Sequence, residues 1–433
     1  MNPRGGGWQA KWGAEFGVSR HCGGASDNKG MDASIYRLRL QDILALCVMG
    51  LLFLGILMVQ SAAMNVTGEA TWQWTGRGSK HLLYAGLALI AFFVVGQFDY
   101  NRLIGRSTRR SPILWLLGIA VVTCVLVLIP GIGMEVNGAR RWIPLPGSQI
   151  QPSELGKWGI VLFLAWWLAR QPVDLDKFWT GFVPTLIPIG VICLLVVIQD
   201  FGTAALIGLC GMTMLLAGRV KLWHLAITLP PAMVGAVWFV ASEPYRWRRM
   251  TSFLDPWSIP QTDGSHMVQS LLSFSSGGLA GRGLGNGVQK LGYLPEDTTD
   301  FIFAVICEEL GLFGALLTIL LYLGILFVAW RIVRRKRDSF GRMLAFGVAA
   351  MTGLQAAINI AVATVSVPTK GLALPLVSAG GSGLIITCCA LGLLYSVARH
   401  ELPAEQWELP LEQPKRHRIK QQAAGGGRQA AAV

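Results

Sequence analysis

The sequence predicts an all-α integral membrane protein with about ten transmembrane helices. Three observations support this prediction: 53% of the 433 residues are hydrophobic, only 14% are charged, and the mean hydropathy is +0.50. An ordinary soluble domain does not carry so apolar a composition. Sixteen tryptophans, many near the ends of apolar runs, are typical of side chains that anchor a protein at the membrane–water interface.

Apolar runs near the length of about 20 residues that crosses a bilayer locate the helices. The fifth to seventh runs are separated by very short connections, so their boundaries are the hardest to place. The ten runs are 42–63, 81–98, 112–130, 154–170, 182–199, 202–218, 222–241, 301–330, 343–366 and 371–398.

The positions of arginine and lysine predict the orientation of these runs. Basic residues cluster in alternate connections, at 102–110, 219–221 and 331–342, and the intervening short connections carry fewer. Because basic connections stay in the cytoplasm, both termini should be cytoplasmic and the large 243–300 connection should face outward. The net charge of +13 lies mainly in these connections and in the tails, where it meets anionic lipid, and no nucleic-acid-binding motif accompanies it.

The two ends of the chain differ from the membrane part, residues 41–400. Residues 1–40 are Gly-rich and basic and lack an apolar core, so we expect a disordered cytoplasmic segment rather than a signal peptide. Residues 401–433 end in low-complexity Gln, Ala and Gly, which predicts a solvated cytoplasmic tail.

The cysteines do not predict a metal site or disulfides. Seven of the eight lie in apolar runs, Cys22 is the exception, and no CxxC or Cys/His spacing occurs. Buried cysteine behaves as a small hydrophobic side chain, which is the interpretation that this pattern favours.

Residues 285–311, GNGVQKLGYLPEDTTDFIFAVICEELG, are the most informative segment. They end a long polar connection and run directly into an apolar stretch, which places Asp300 at a membrane boundary. A carboxylate there is costly unless it faces a cavity or a partner, so Asp300 is a candidate catalytic residue. Helical geometry puts Glu308 on the face of Asp300 and Glu309 on the opposite side, where it should meet a neighbouring helix.

Two further charged positions precede an apolar run. Glu154 and Lys157 are three residues apart and share a helix face, so they can pair. The pair is either a structural ion pair or a charged wall of a substrate cavity, and the sequence favours neither. Asp200, at the end of the fifth run, is more typical of a cap for the next helix than of a catalytic group.

A cationic cluster lies in the predicted outward connection, where positive charge is uncommon. It consists of Arg246, Arg248 and Arg249, and a lone Lys370 lies at the same predicted face. Guanidinium groups bind phosphate oxygens, so a pyrophosphate ligand and lipid headgroups both account for the cluster. The Gly-rich run 276–287 lacks a preceding strand, so we interpret it as flexible backbone lining a site rather than a nucleotide loop.

The last two apolar runs carry polar positions of their own. Gln355 and Asn359 are four residues apart and share one helix face. Pro375 and the glycines that follow Ser378 should interrupt the tenth run. Broken helices are tolerated in membranes where they line a cavity or are buried in protein, and here the pattern favours a cavity.

These motifs together resemble the SEDS family (FtsW, RodA and SpoVE), the polytopic polymerases of bacterial peptidoglycan. The resemblance covers about residues 40–400, with departures at Thr298 (family His), Gln199 (Pro), Ala373 (Thr) and Ala379 (Tyr). It rests on YLPEDTTDFIFAVICEELG, NGARRWI, IQPSELGK, QDFGT and VPTKGLALPLVSAGGSG.

The resemblance implies a peptidoglycan glycosyltransferase that polymerises lipid II into β-1,4-linked glycan during cell division, at the septum of the bacterial cytoplasmic membrane. The reaction inverts the anomeric carbon, with Asp300 as the general base. No cofactor is identified; a divalent cation is compatible with the chemistry, but no ligand set points to one. The implied substrate-binding residues are Lys370, Arg246, Arg248, Arg249, Glu154, Lys157, Arg141, Gln355, Asn359 and Ser378.

The resemblance also implies partners: lipid II, its polyprenyl pyrophosphate, other division proteins and a class B penicillin-binding protein transpeptidase. We expect the transpeptidase on the eighth or ninth run, where small residues allow close helix approach. The small residues of the ninth run are Gly347, Ala349, Ala350 and Gly353.

Two other functions remain open from the sequence. A lipid II flippase would need a cavity that opens alternately to each side and usually an internal repeat, and none is visible. A non-catalytic division scaffold would need only surfaces. Within the family, SFLDPW and GLGNGVQK are closer to FtsW and SpoVE than to RodA, so division is favoured, with elongation and sporulation as alternatives.

Overall fold

The computed structural model describes residues 39–63, 76–105, 111–136, 138–146, 148–170, 175–258, 264–290 and 297–400. The predictions for residues 1–38 and 401–433 lie outside these ranges and stay predictions.

Within the described ranges, one apolar helix corresponds to each predicted run, and two shorter helices lie in the 243–300 connection. The α-helices are α1 (Leu40–Ala62), α2 (Gly76–Gln97), α3 (Pro112–Leu126), α4 (Pro152–Ala169), α5 (Val183–Val197), α6 (Phe201–Ala217), α7 (Leu222–Ala241), α8 (Pro244–Thr251), α9 (Ser265–Gly277), α10 (Ile302–Arg335), α11 (Ser339–Ala363) and α12 (Ser382–Arg399).

Seven of these helices are long and apolar enough to cross a membrane, and α3 and α6 are shorter apolar helices. The predicted fold class, a helical multi-pass membrane protein, is confirmed. The helix ends follow local chemistry: Pro152 lies in the first turn of α4, where a missing N–H costs nothing. Asp200 caps α6 by accepting a hydrogen bond from the Thr203 amide at 3.1 Å, as predicted.

A small antiparallel sheet precedes α4 and was not predicted. Its strands are β1 (Met134–Val136), β2 (Ala139–Leu145) and β3 (Ser148–Ile150), in the order β1-β2-β3. Met134 pairs with Trp142, and Ile143 pairs with Ile150. The strands are too short for a pattern of alternating polarity to stand out in the sequence. The sheet positions Arg141, in β2, at the end of the bundle where α4 begins.

The 243–300 connection is more ordered than the polar loop that the sequence suggested. It contains α8, a 3-10 turn at Pro256–Ser258 and α9, and α9 packs against α10. Arg246, Arg249 and Met250 recur at helical spacing and all line the main cavity. Helix α8 is therefore a wall of that cavity.

Two interruptions shape the membrane part. Helix α10 breaks at Gly311, whose φ of 63° is in the left-handed region. Residues 364–381 are not helical, so the last helix begins at Ser382 rather than at the predicted 371. In that unwound segment Val365 and Leu376 have φ of 56° and 67°, which is costly for branched side chains and is typical of functional sites.

The unwound segment packs inside the protein against α1. A Cβ on Gly55 would lie 2.7 Å from the Val377 carbonyl oxygen and 2.8 Å from that of Leu376, so only glycine permits this approach. Helix α4 lies among α3, α6 and α11, and α12 packs along α2. The seven described cysteines are buried or half-buried, as expected for small apolar side chains.

The glycines of α11 do not form an outward docking face, and that expectation was wrong. A Cβ on Gly347 would lie 2.7 Å from Met214 and 2.8 Å from Val161, and one on Gly353 would lie 2.9 Å from Leu326. Both glycines are used for packing within the bundle, against α6, α4 and α10. Sequence alone shows that one face of a helix carries small residues, but not which neighbouring element packs against that face.

Candidate active site

A cavity of about 1000 Å³ opens between the starts of α4, α6, α10 and α12, the sheet, α8 and the unwound segment 364–381. Asp300, two residues before α10 begins at Ile302, lines it. The lining combines charged side chains with apolar ones, including Val197, Ile198, Phe239 and Val240 at the ends of α5 and α7. Such a cavity suits a ligand that combines a polar or anionic head with a hydrocarbon chain.

The backbone at Asp300 is held by Asn359 of α11. The Asn359 Nδ2 donates to the Asp300 carbonyl at 2.8 Å and to the Leu372 carbonyl at 2.7 Å. Asn359 is 1% exposed and is not among the residues that line the cavity. It therefore fixes the position of Asp300 relative to the unwound segment and does not reach a ligand.

Ser378 makes a second connection to the same segment. Its hydroxyl donates to the Thr299 carbonyl at 2.6 Å and accepts from the Leu374 amide at 2.8 Å. The Ala379 amide donates to the Thr298 carbonyl at 2.8 Å. The carbonyls of residues 298 and 299 thus bind the unwound segment directly, and the carbonyl of Asp300 is joined to it through Asn359. The side chain at 298 is not part of this connection.

Glu154, Lys157 and Gln355 form a chain of polar contacts whose middle residue, Lys157, lies behind the cavity lining. Lys157 Nζ lies 2.7 Å from Glu154 Oε1, as predicted for residues three apart on α4, and donates to Gln355 Oε1 at 2.7 Å. Gln355 Nε2 donates to the Ala373 carbonyl at 2.8 Å. Glu154 and Gln355 line the cavity, but Lys157 is fully buried behind them.

Four cations line the cavity: Arg141, Arg246, Arg249 and Lys370. Arg249 Nε donates to the Thr369 hydroxyl at 3.2 Å, and the Arg246 guanidinium lies 4.0 Å from the centre of the Phe239 ring. These contacts restrain the long side chains and leave further guanidinium N–H groups for an anion.

Lys370 is half-buried beside α6. Its Nζ lies 4.4 Å from the centre of the Phe201 ring. Burial lowers the pKa of Lys370 below its ordinary value, and the nearby Asp200 carboxylate opposes that shift. An ammonium group in this position is poised to meet an anionic ligand that replaces part of the lost hydration.

Gln199 supports Arg141 from the α5–α6 junction. The Gln199 carbonyl accepts from Arg141 Nε at 2.8 Å, and its side-chain oxygen accepts from the Arg140 amide at 2.8 Å. The chain is not helical between Val197, where α5 ends, and Phe201, where α6 begins, so Gln199 lies in a helix break without a proline. Arg141 also lies close to the catalytic candidate: a Cβ on Gly371 would be 3.5 Å from both Arg141 Nη1 and Asp300 Oδ2.

Not every predicted site residue reaches the cavity. Arg248 is exposed on the far side of α8, and Lys157 and Asn359 lie behind the lining, so these three do not line the cavity and their role in substrate binding stays a prediction. Glu308 does not line the cavity with Asp300 either, and the Gly-rich run 276–287 packs on α10 rather than lining the site. Helix α10 begins at Ile302, so Asp300 lies in the turn before it and does not share a regular helical wheel with Glu308.

The sequence did not single out a second charged cluster. Lys290 and Ser61 join Glu309 in the interior, at 2.5 Å for the ion pair and at 2.6–2.7 Å for the hydroxyl. Glu309 therefore meets a neighbouring helix, α1, as predicted. The signal for Lys290 was present, because two adjacent carboxylates in an apolar run require nearby donors. Among the described residues no three His, Cys, Asp or Glu side chains are grouped as a metal site.

Curated relatives resemble the chain over most of its length. A probable peptidoglycan glycosyltransferase FtsW from Thioalkalivibrio sp. (strain K90mix) is 40% identical over 380 residues, which covers 85% of this chain and 91% of the relative. The protein of the same name from Coxiella burnetii is 37% identical over 359 residues, covering 82% and 95%.

Solved structures share the fold. A chain from a study of how a peptidoglycan synthase complex coordinates polymerization and crosslinking aligns with a TM-score of 0.66 at 28% identity, over 82% of this chain and 96% of that one. The rod shape determining protein RodA of Thermus thermophilus aligns with a TM-score of 0.59 at 25% identity, over 82% and 95%. A family model described as a cell cycle protein, covering FtsW, RodA and SpoVE, matches residues 41–402, so the chain belongs to that family.

Proposed function

We propose that Asp300 is the general base with which this peptidoglycan glycosyltransferase polymerises lipid II into β-1,4-linked glycan. The observation that carries the proposal is the position of Asp300: its backbone is fixed from two sides, and it lines a cavity that also holds four cations. A fixed carboxylate beside cations supplies both the proton acceptor and the charge stabilisation that glycosyl transfer from a pyrophosphate needs.

The reaction requires one displacement. The donor sugar is α-linked to a polyprenyl pyrophosphate and the product is β-linked, so the anomeric carbon inverts. The acceptor 4-hydroxyl oxygen attacks that carbon while its proton passes to Asp300. The bond from the anomeric carbon to the pyrophosphate oxygen breaks, and its electron pair leaves with the pyrophosphate.

The cations act on the leaving group. Arg246 and Arg249, on one face of α8, and Lys370, on the unwound segment, bind the phosphate oxygens as their negative charge increases. Arg141, whose Nε is occupied by Gln199, presents its remaining N–H groups near Asp300. The apolar wall of α5 and α7 accommodates the first part of the polyprenyl chain.

Both termini are cytoplasmic in this proposal, and the cavity faces the outer side of the cytoplasmic membrane, where the septum is built. The basic connections at 102–110, 219–221 and 331–342 support that orientation. Lipid II then enters from the outer leaflet with its sugars at the level of Asp300.

A transpeptidase is the expected partner, because uncross-linked glycan has little mechanical use. The sequence lacks the full set of serine-nucleophile motifs for cross-linking, SxxK, SxN and KTG. We place the single membrane anchor of a class B penicillin-binding protein on α10 rather than on the glycines of α11. Helix α10 exposes a broad apolar face at Leu312, Phe313, Leu316, Leu320 and Leu323.

The test is lipid II polymerisation by the purified chain, with and without its transpeptidase, with glycan products resolved by length. We expect long strands that increase when the partner is present. Transport of lipid II across vesicles without polymerisation would favour a flippase, and the absence of both activities would favour a division scaffold.

A further inference from the structure

Helix α10 is broken at Gly311, and another part of the chain restores its backbone hydrogen bonds. The Arg282 and Gly283 amides donate to the Glu308 and Glu309 carbonyls at 3.0 and 2.9 Å. The Leu312 amide donates to the carbonyls of residues 278 and 279, both at 3.1 Å. We call residues 278–290 the closing loop, because they close the gap in α10.

The two glutamates beside the break also bind the closing loop through their side chains. Glu308 accepts from the Val288 amide at 2.8 Å, and Glu309 accepts from the amides of Gly285 and Gly287 at 3.1 and 3.3 Å. Both glutamates are 0% exposed. Their negative charge is therefore satisfied by main-chain N–H groups in addition to a cation.

The glycines of the closing loop are required by this close approach. A Cβ on Gly281 would lie 2.2 Å from the Glu309 carbonyl oxygen, and Gly281 itself has a φ of 77°. A Cβ on Gly287 would lie 2.9 Å from Glu309 Oε1. The Gly-rich run is thus a packing surface for α10 and not a flexible lining.

Lys290 ends the closing loop and ties it to α1. Its side chain is 1% exposed; Nζ lies 2.5 Å from Glu309 Oε1 and donates to the Ser61 hydroxyl at 2.8 Å. A buried pair of this kind adds little to stability over apolar residues, yet breaking it by removing one partner is costly. Because the Lys290–Glu309 pair adds little stability, its presence beside a membrane helix points to a role beyond stability.

That role follows from what comes next in the chain. Only residues 291–297 separate Lys290 from Thr298, whose carbonyl is the first of the three held by the unwound segment and Asn359. Asp300 also lies two residues before Ile302, where α10 begins, and the same helix carries Glu308 and Glu309. The cluster therefore holds the first part of α10 next to residues 298–300.

We infer that Lys290, Glu308 and Glu309 are positioning residues for Asp300, acting through the closing loop; the inference rests on the proposed function. They do not touch the cavity. They fix the first part of α10, which begins two residues after Asp300, so that the Asp300 carboxylate meets the acceptor hydroxyl in the reactive geometry. Release of the anchor lowers turnover and leaves the cations that bind lipid II in place.

The experiment measures kcat and KM for lipid II in the full chain with Lys290→Met and, separately, Glu309→Gln. We expect kcat to fall by about tenfold or more, the equivalent of one lost buried polar contact, with KM within about threefold of the parent. The matched control is Tyr100→Phe, which removes a buried 2.6 Å hydrogen bond to Asp338 away from the cavity and should leave kcat unchanged.

A charge swap separates positioning from simple ion pairing. Lys290→Glu with Glu309→Lys restores opposite charges but turns an ammonium toward the Gly285 and Gly287 amides, so we expect no rescue. Full rescue, or parental kcat in well-folded Lys290→Met, would overturn the inference. If Lys290→Met does not fold, Glu308→Gln, which keeps the side-chain shape, takes its place under the same criteria.

Amide hydrogen exchange tests the positioning role independently of the proposed polymerase activity. Amides of the closing loop and of residues 297–301 should exchange faster in Glu309→Gln than in the parent, whether or not glycan is made. Unchanged exchange at 297–301 would overturn the inference. Absence of polymerisation by the parent itself, with exchange changed as expected, would overturn the proposed function alone.

Discussion

The Asp300 cavity and the Glu308–Glu309 cluster both place carboxylates and a lysine beside an interrupted membrane helix, but their polar groups point in different directions. In the cluster, both glutamates are fully buried, and N–H groups, a hydroxyl and Lys290 converge on them. In the cavity, Asp300 and four cations surround open volume. In this protein we expect the charges that face the cavity to act on a ligand, and those that meet only other protein groups to support the architecture.

Glu154 and Lys157 lie between these two arrangements, because one partner lines the cavity and the other is buried. Reversing either charge alone leaves a like-charged pair in the interior, and we expect this to remove nearly all polymerisation; breaking a buried pair costs about 3–5 kcal/mol. Reversing both should restore more activity than either single change. The comparison uses polymerisation rates at matched membrane levels.

The double reversal decides which arrangement the pair belongs to. Recovery of polymerisation in the double variant would mean that the pair has a structural role, like the Glu308–Glu309 cluster. A double variant no better than the worse single variant would mean that Glu154 contacts substrate on its own account.

Asn359 is a buried residue that supports the cavity, because it holds the backbone at Asp300. Substituting it tests whether a buried polar group can control the reaction without contacting the substrate. Asn359→Ala releases the Asp300 and Leu372 carbonyls, each left without its donor at a cost of about 1–3 kcal/mol. We expect kcat to fall about ten- to hundredfold with little change in the KM for lipid II. Asn359→Asp, which cannot donate to the carbonyls when ionised, should be no better than alanine. A change confined to KM would contradict this role.

The pH dependence of polymerisation tests whether Lys370 binds the leaving group. Burial lowers its pKa, so it loses its proton and its attraction for phosphate at a lower pH than an ordinary lysine. Polymerisation should therefore decline on the alkaline side, and Lys370→Arg should move that decline to higher pH. Asp200→Asn removes the charge that opposes the shift and should move it to lower pH. An identical alkaline profile in all three proteins would exclude Lys370 from binding the leaving group.

The smallest effect is expected at Thr298, the position where the family pattern has histidine. Only the Thr298 carbonyl takes part in the connection to Ala379, and Thr298 is not among the described residues that line the cavity. Thr298→His should change the polymerisation rate by only a few-fold. A large gain would show that the histidine contributes to the reaction and that this chain works below its capacity.

Much of the fold followed from hydropathy, because nine of the ten apolar runs became helices within about five residues of their predicted ends; the tenth begins at Ser382 instead of 371, since residues 364–381 are unwound. The sheet was missed, since β1 and β3 have only three residues and the burial of the seven residues of β2 does not alternate. Of the residues that line the cavity, Asp300 and Lys370 were identified by charge near the membrane, and Arg141 by the resemblance to the family. Whether a polar residue faces the cavity or supports it from behind, as Asn359 and Lys157 do, depends on packing between distant elements, which local spacing does not encode.

The most direct test of the account is glycan synthesis by Asp300→Asn, purified together with its transpeptidase. The substitution keeps the size of the side chain and its backbone contacts, so the protein should insert and bind its partner like the parent. We predict that lipid II is still bound but that no glycan strand forms, because the acceptor hydroxyl has lost its proton acceptor. Substantial strand synthesis by this variant would contradict the assignment of Asp300 as the base.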